Sequence, residues 1–191
     1  MRIIGGTAGG RKLRTPRGPG IRPTADRVKE ALFNILGGLL GPLDGCSVLD
    51  IFAGTGNLGI EALSRGAMDA VFIDNSRDSA NLIARNLEIT GFAGAGTIIA
   101  RNFIAALASL ETTGNCFQLI FLDPPYGRNL LEKALDLLGH STILETGAIV
   151  VAESSSRDST AAGYGSLMLL DKRVYGDTAL SFYKNMEKST S

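Results

Sequence analysis

Apolar positions in this chain follow two periods. Behind Thr24, the residues Val28, Ala31, Leu32, Ile35 and Leu36 recur at helical spacing, and Gly37-Gly38 ends the run. This predicts a helix with Thr24 as its N-cap and one face built for burial. From Cys46 on, short β-branched runs alternate with helical segments, giving strands at 46–51, 70–74, 96–100, 117–122 and 147–152 and helices at 57–65, 77–90, 103–111 and 129–138. Strands separated by helices need crossover connections, so the pattern predicts an α/β fold with a mainly parallel sheet and helices on both faces. The tail departs from it. Leu167 to Leu170 and Ala179 to Tyr183 read as strands, and Asp171 to Thr178 between them is too short for a helical crossover, so an antiparallel hairpin is expected. At the other end, Arg2-Ile-Ile-Gly-Gly and Gly10-Arg-Lys-Leu-Arg-Thr15 predict a hairpin around a Gly-rich turn, followed by the loop Pro16 to Pro23. The expected division is residues 1–23 as hairpin and loop and 24–191 as the α/β domain.

A length of 191 residues with 45% hydrophobic content is enough for one buried core. No apolar run has signal-peptide or bilayer-spanning length, which points to the cytoplasm. Cys46 and Cys116 lie in apolar, strand-like runs and are expected to be buried, reduced thiols. His140 is the single histidine, so neither a metal site nor a histidine triad is expected. Net charge is zero, yet residues 1–29 hold eight Lys/Arg against one acid, a net of +7, and the remainder carries −7. A basic segment interrupted by Gly and Pro is the footprint of something that lies on phosphates, although a solvated arm has the same composition.

The chemistry concentrates at two strand ends. Val48-Leu-Asp-Ile-Phe-Ala-Gly-Thr-Gly-Asn-Leu-Gly59 sets Gly54, Gly56 and Gly59 in G-x-G-x-x-G spacing between a strand and a helix, the context of a Rossmann-type ligand loop. Asp50 ahead of the glycines would oppose a pyrophosphate at the helix start but suits the ammonium and sulfonium of S-adenosylmethionine. Asp74, ending the second strand, can accept both ribose hydroxyls of an adenosine. Asn102 can accept from the adenine amine and Phe103 can flank its ring, with a helix cap and a core aromatic as the alternatives. Phe52, Asn57 and Asn75, beside these positions, complete the candidate cofactor contacts of the bare loop.

Gln118-Leu-Ile-Phe-Leu-Asp-Pro-Pro-Tyr126 is the most specific signal. An aromatic amine is a weak nucleophile because its lone pair is delocalised into the ring. Asp123 and the carbonyl of Pro124 can accept its two hydrogens and aim that lone pair, the prolines stiffen the backbone, and Tyr126 can stack on the base.

Together with Met1-Arg-Ile-Ile-Gly-Gly, Gly10-Arg-Lys-Leu, Arg22-Pro-Thr-Ala-Asp-Arg-Val-Lys-Glu-Ala-Leu-Phe-Asn-Ile-Leu36 and Arg173-Val-Tyr-Gly-Asp-Thr-Ala-Leu-Ser-Phe-Tyr183, these stretches resemble the RsmD family, nearly end to end. The resemblance implies a Rossmann-like class I methyltransferase with a seven-stranded sheet and a reversed last strand. It implies methyl transfer from S-adenosylmethionine to the 2-amino group of a guanine in 16S ribosomal RNA, naked or in the small subunit. It also implies that Arg22 and Thr24 close over the methionine end of the cofactor, while Arg2, Arg11, Lys12, Arg14 and Arg17 of the basic arm are the candidate RNA contacts. Asn102 stands where the family usually has Asp. The alternatives are a methyltransferase acting on DNA adenine or a protein amide, a nicotinamide-dependent oxidoreductase sharing the glycine spacing, and an RNA-binding module without chemistry.

Overall fold

A computed structural model describes residues 1–16, 23–125 and 129–186, apart from the side chains of residues 23–25. The chain forms two compact units, Met1–Phe103 and Ile104–Ser191. In the first, α1 (Pro23–Leu40) precedes β1 (Ser47–Ile51), α2 (Asn57–Ser64), β2 (Asp69–Asp74), α3 (Arg77–Thr90) and β3 (Gly96–Ala100). The three strands run parallel in the order β3-β2-β1, with Asp50 paired to Phe72 and Asp74 to Ala100. In the second unit, α4 (Phe103–Thr112, its first residue in the first unit), β4 (Phe117–Leu122), α5 (Leu130–Gly139) and β5 (Leu144–Ser155) lead to the short β6 (Gly163–Tyr164), then β7 (Leu167–Tyr175) and β8 (Thr178–Asn185). Here β4 and β5 are parallel, while β5-β8-β7-β6 are antiparallel neighbours.

The periodicity located each of these helices and the long strands, and the differences have local causes. Helix α1 starts at Pro23 and continues through Gly37 and Gly38 to Leu40, because neither glycine leaves negative φ. The stop is Gly41, whose φ of 75° suits a residue without Cβ. The tail hairpin forms, but β7 reaches Tyr175 and the turn shrinks to Gly176-Asp177. A register shift between Leu169 and Asp171 breaks the period-two pattern there and hid the outer half of that strand. Among the described residues an eighth strand, the two-residue β6, is added to the seven expected. Cys46 and Cys116 form no disulfide, but they sit just ahead of β1 and β4 and not within them, so Cys46 is half-buried and Cys116 exposed.

The amino-terminal arm is not a free hairpin. Its limbs pair antiparallel at the Arg2–Lys12 bridge, where the N–H of Ile3 donates to the carbonyl of Arg11 at 2.9 Å and that of Leu13 to the carbonyl of Met1 at 3.1 Å, and side chains of the helices tie the arm down. Glu61 of α2, wholly buried, accepts from the backbone N–H of Ile4 and Gly5 at 2.8 Å each, from Arg65 Nε at 2.8 Å and from Lys29 Nζ at 3.0 Å. Lys29 of α1, also buried, donates in addition to the carbonyl of Arg2 at 2.6 Å and to Asn57 Oδ1 at 2.7 Å. Burial lowers the Lys29 pKa, and the Glu61 charge opposes that shift. Close approach is possible because Gly6, at φ 72°, has no side chain; a Cβ there would lie 1.7 Å from the carbonyl oxygen of Ser64. Farther along, Asn86 of α3 accepts from Arg14 N at 2.8 Å and donates to Arg14 O at 3.1 Å, pairing with the arm as a strand would.

Removing one partner of a hydrogen-bonded buried ion pair strands the other. Glu61→Ala is therefore expected to cost about 3–5 kcal/mol, since it leaves the Lys29 ammonium and two backbone N–H groups uncompensated. Lys29→Met, which leaves Glu61 with Arg65 and both N–H groups, should cost less. Urea unfolding of the two variants tests this order; equal stability of Glu61→Ala and wild type would show that the arm is not held through this carboxylate.

Candidate active site

Each glycine of the loop after β1 has a separate physical task. Gly59, in the first turn of α2, packs flat on the sheet, where a Cβ would lie 2.4 Å from Phe72 Cε1. Gly56 takes φ 74° to start α2, and a Cβ there would meet Ile60, Ile83 and Phe72 at 3.2–3.3 Å. Gly54, at φ 55°, faces open space, with only the carbonyl oxygen of Phe52 as near as 3.9 Å. The first glycine thus leaves room above the loop, and the other two let the helix approach the strands.

Two carboxylates fix this loop from below and from the side. Asp50, 2% exposed and lying inside β1, accepts from the Gly59 N–H at 2.9 Å. Asp74 ends β2; its Oδ2 accepts from the Gly54 N–H and its Oδ1 from the Ser76 N–H, each at 2.9 Å. One N–H on each oxygen leaves Asp74 with further acceptor directions. Asn75 beside it is exposed, and Asn102, directly ahead of α4, is exposed as well. Phe52 holds φ 67°, a left-handed conformation costly for a bulky residue, and its ring meets buried Phe103 at 5.0 Å between centroids. Asn57 of α2 gives its amide oxygen to Lys29.

In the second unit, Asp123 and Pro124 follow directly on β4, with Pro124 buried. Loss of hydration at Asp123 pushes its carboxyl up from 3.8 to about 6. A cavity of about 340 Å³ adjoins Pro124 and Pro125, walled by the start of α5 and the end of β5. Of the other anticipated site residues, Arg17, Arg22, Tyr126 and the Thr24 side chain lie outside the described residues. Arg2, Arg11, Lys12 and Arg14 are exposed along the arm; Arg2 pairs with Asp26 at 3.1 Å and Arg11 donates to the carbonyl of Ile89 at 2.9 Å. The basic count overstated the free charge, because Lys29 is buried in its ion pair.

The sequence reading missed Glu61 and Asn86. Asn86 is buried and, besides holding Arg14, donates to the carbonyl of Thr55 in the glycine loop at 2.9 Å. The available signal was an acid inside the small apolar run Gly59-Ile60-Glu61-Ala62-Leu63, where an unpaired charge would be prohibitive.

A glycine loop after β1, an acid ending β2 and Asp-Pro-Pro after β4, in this topology, define a Rossmann-like class I methyltransferase fold. The structure superposes on the Escherichia coli protein yhhF with a TM-score of 0.83, at 34% identity over 98% of this chain and 99% of that one. Residues 1–184 match the family described as conserved hypothetical protein 95, and the chain belongs to this, the RsmD family. Among its relatives, the ribosomal RNA small subunit methyltransferase D of Escherichia coli is 37% identical over 100% of this chain and 93% of its own length. The enzyme of the same name from Haemophilus influenzae is 34% identical over 97% and 94%. Membership removes the oxidoreductase alternative.

Gly59→Ala tests the loop geometry. The added methyl must displace the Phe72 ring or lift α2, so a loss of about 1–3 kcal/mol in chemical denaturation is expected; unaltered stability would mean that α2 does not rest on β2 at this point.

Proposed function

We propose that this methyltransferase moves a methyl group from S-adenosylmethionine to the exocyclic 2-amino group of a guanine in 16S ribosomal RNA, either free or in the small subunit, in the cytoplasm. The observation that carries the reading is the Asp123-Pro124-Pro125 run directly after β4, with Pro124 buried. The names of the relatives supply the ribosomal substrate. Among the described residues no helix is long and apolar enough to cross a membrane.

The residues of the first unit suit the cofactor. Asp74 retains acceptor capacity for ribose hydroxyls, Gly54 leaves space at the loop, and Asn75, Asn102 and Phe103 are assigned to the adenosine end. Asp50 stiffens the loop through Gly59 and adds negative charge beneath it. Phe52, Gly56 and Asn57 shape the same loop, and Arg22 and Thr24 are assigned to the methionine end. When bound, S-adenosylmethionine supplies an electrophilic methyl on a sulfonium. Asp123 and the Pro124 carbonyl accept the amine hydrogens and orient the nitrogen lone pair, and Tyr126 stacks on the base. As the amine attacks, positive charge grows on nitrogen, so an ionised Asp123 contributes most at the transition state. The product ammonium is acidic enough to release its proton to water.

RNA contacts are assigned to Arg2, Arg11, Lys12, Arg14 and Arg17. Clamping by Glu61 and Asn86 presents the described part of this arm as a fixed ridge, so little ordering entropy opposes binding. Changing Arg11, Lys12 and Arg14 together to Gln should flatten the dependence of log K on log salt by about 0.7 for each phosphate that is no longer neutralised. An unchanged slope would exclude the arm as the RNA-binding surface.

For the chemical step, single-turnover methyl transfer at saturating RNA and cofactor should fall as pH drops through about 6, where Asp123 gains its proton. Asp123→Asn should be slower and lose that inflection, and Asp123→Ala slower still, with cofactor affinity retained in both. Asp74→Ala should instead weaken cofactor binding. Wild-type rates in Asp123→Ala would sink the assignment, and mass spectrometry of the modified nucleoside decides whether guanine N2 is the acceptor.

A further inference from the structure

The cavity beside Pro124 and Pro125 lies wholly in the second unit and has no task in the cofactor site. Its volume of about 340 Å³ is at the small end for ligand pockets, enough for a single nucleoside. Three acidic residues line it, Glu132, Glu153 and Asp158. Glu132 is exposed on the first turn of α5. Asp158 is engaged in the turn after β5, its Oδ2 accepting from Ser155 N at 3.3 Å. Glu153 is half-buried in β5, and its position is fixed by antiparallel register against Leu180 of β8. At the mouth, Asn129 adopts φ 50° at the start of α5 without a side-chain capping bond, so its amide is not used by its own helix.

We propose that this cavity receives the acceptor base and that Glu153 is its specificity-determining carboxylate, accepting the N1–H of guanine. The inference rests on the function proposed above and adds how the base is chosen. Enzymes that act on a base take it out of the stack and read its Watson–Crick edge in a pocket. Guanine carries a ring N–H at N1, next to the amine to be methylated. Adenine and cytosine offer a lone pair at the corresponding ring nitrogen, which a carboxylate repels, and uracil has no amine. A carboxylate on a rigid strand beside Pro124 can therefore select guanine while the 2-amino group stays with Asp123 and the Pro124 carbonyl.

The test uses guanosine 5′-monophosphate and 2-aminopurine riboside 5′-monophosphate as probes; the second keeps the amine but has no N1–H. Binding to the full chain saturated with S-adenosylhomocysteine is followed by ligand-observed NMR. Wild type should favour the guanine nucleotide by about ten-fold, the effect of one hydrogen bond to a charged acceptor. Glu153→Gln, whose amide can donate to the bare N1 of 2-aminopurine, should bring the ratio close to one. Equal binding of both probes to the wild type, no binding of either, or the full preference surviving in Glu153→Gln would each overturn the assignment. The wild-type comparison needs no variant and so does not depend on the folding of Glu153→Gln. Nucleoside analysis of methylated ribosomal RNA reports separately on the function: formation of N2-methylguanosine without the nucleotide preference rejects the pocket alone.

Discussion

The first unit depends on a buried negative charge. Glu61 has no solvent to stabilise it, so its four hydrogen bonds dictate where other parts of the chain must be. Lys29 places α1, the Ile4 and Gly5 amides place the arm, and Arg65 turns back onto the ring of Phe33 at 4.7 Å. An apolar residue at 61 would fill the space but specify none of these positions. The same helix begins at the glycine loop, so the element that continues this loop also anchors the arm.

What could be read in advance follows from the range of the forces involved. Periodicity and glycine chemistry are local, and they identified the helices, the parallel strands and the tail hairpin. Asp50, Asp74 and Asp123 were legible because each ends or nearly ends an apolar strand, where chain geometry alone sets the side chain at the sheet edge. Glu61 and Asn86 were not, because their partners are 56–57 and 72 residues away in sequence. Gly37-Gly38 misled for the opposite reason: glycine permits a left-handed stop without requiring one, and here Gly41 supplied it. The turn after β7 was read too long because one register shift defeats a strict alternation.

The two groups of functional residues have different physical characters. Around the glycine loop, backbone N–H groups are already occupied by Asp50 and Asp74, which makes a preformed cradle with little left to order on binding. Around Asp123 the environment is less hydrated, which raises its carboxyl to about 6.

Asn86 bonds both to Arg14 in the arm and to Thr55 in the glycine loop, while Glu61 holds Ile4 and Gly5 at the arm's other end. The stretch from Gly5 to Arg14 is thereby pinned at both ends, and Ser64 holds its middle by accepting from the N–H groups of Thr7 and Ala8 at 2.7 and 2.9 Å. Its length is consequently not free to drift: one residue inserted or deleted between the pins would shift every downstream amide out of register with Asn86. Variation in length must then be accommodated elsewhere in the chain, and the arm cannot be transplanted to another scaffold without the side chains that anchor it.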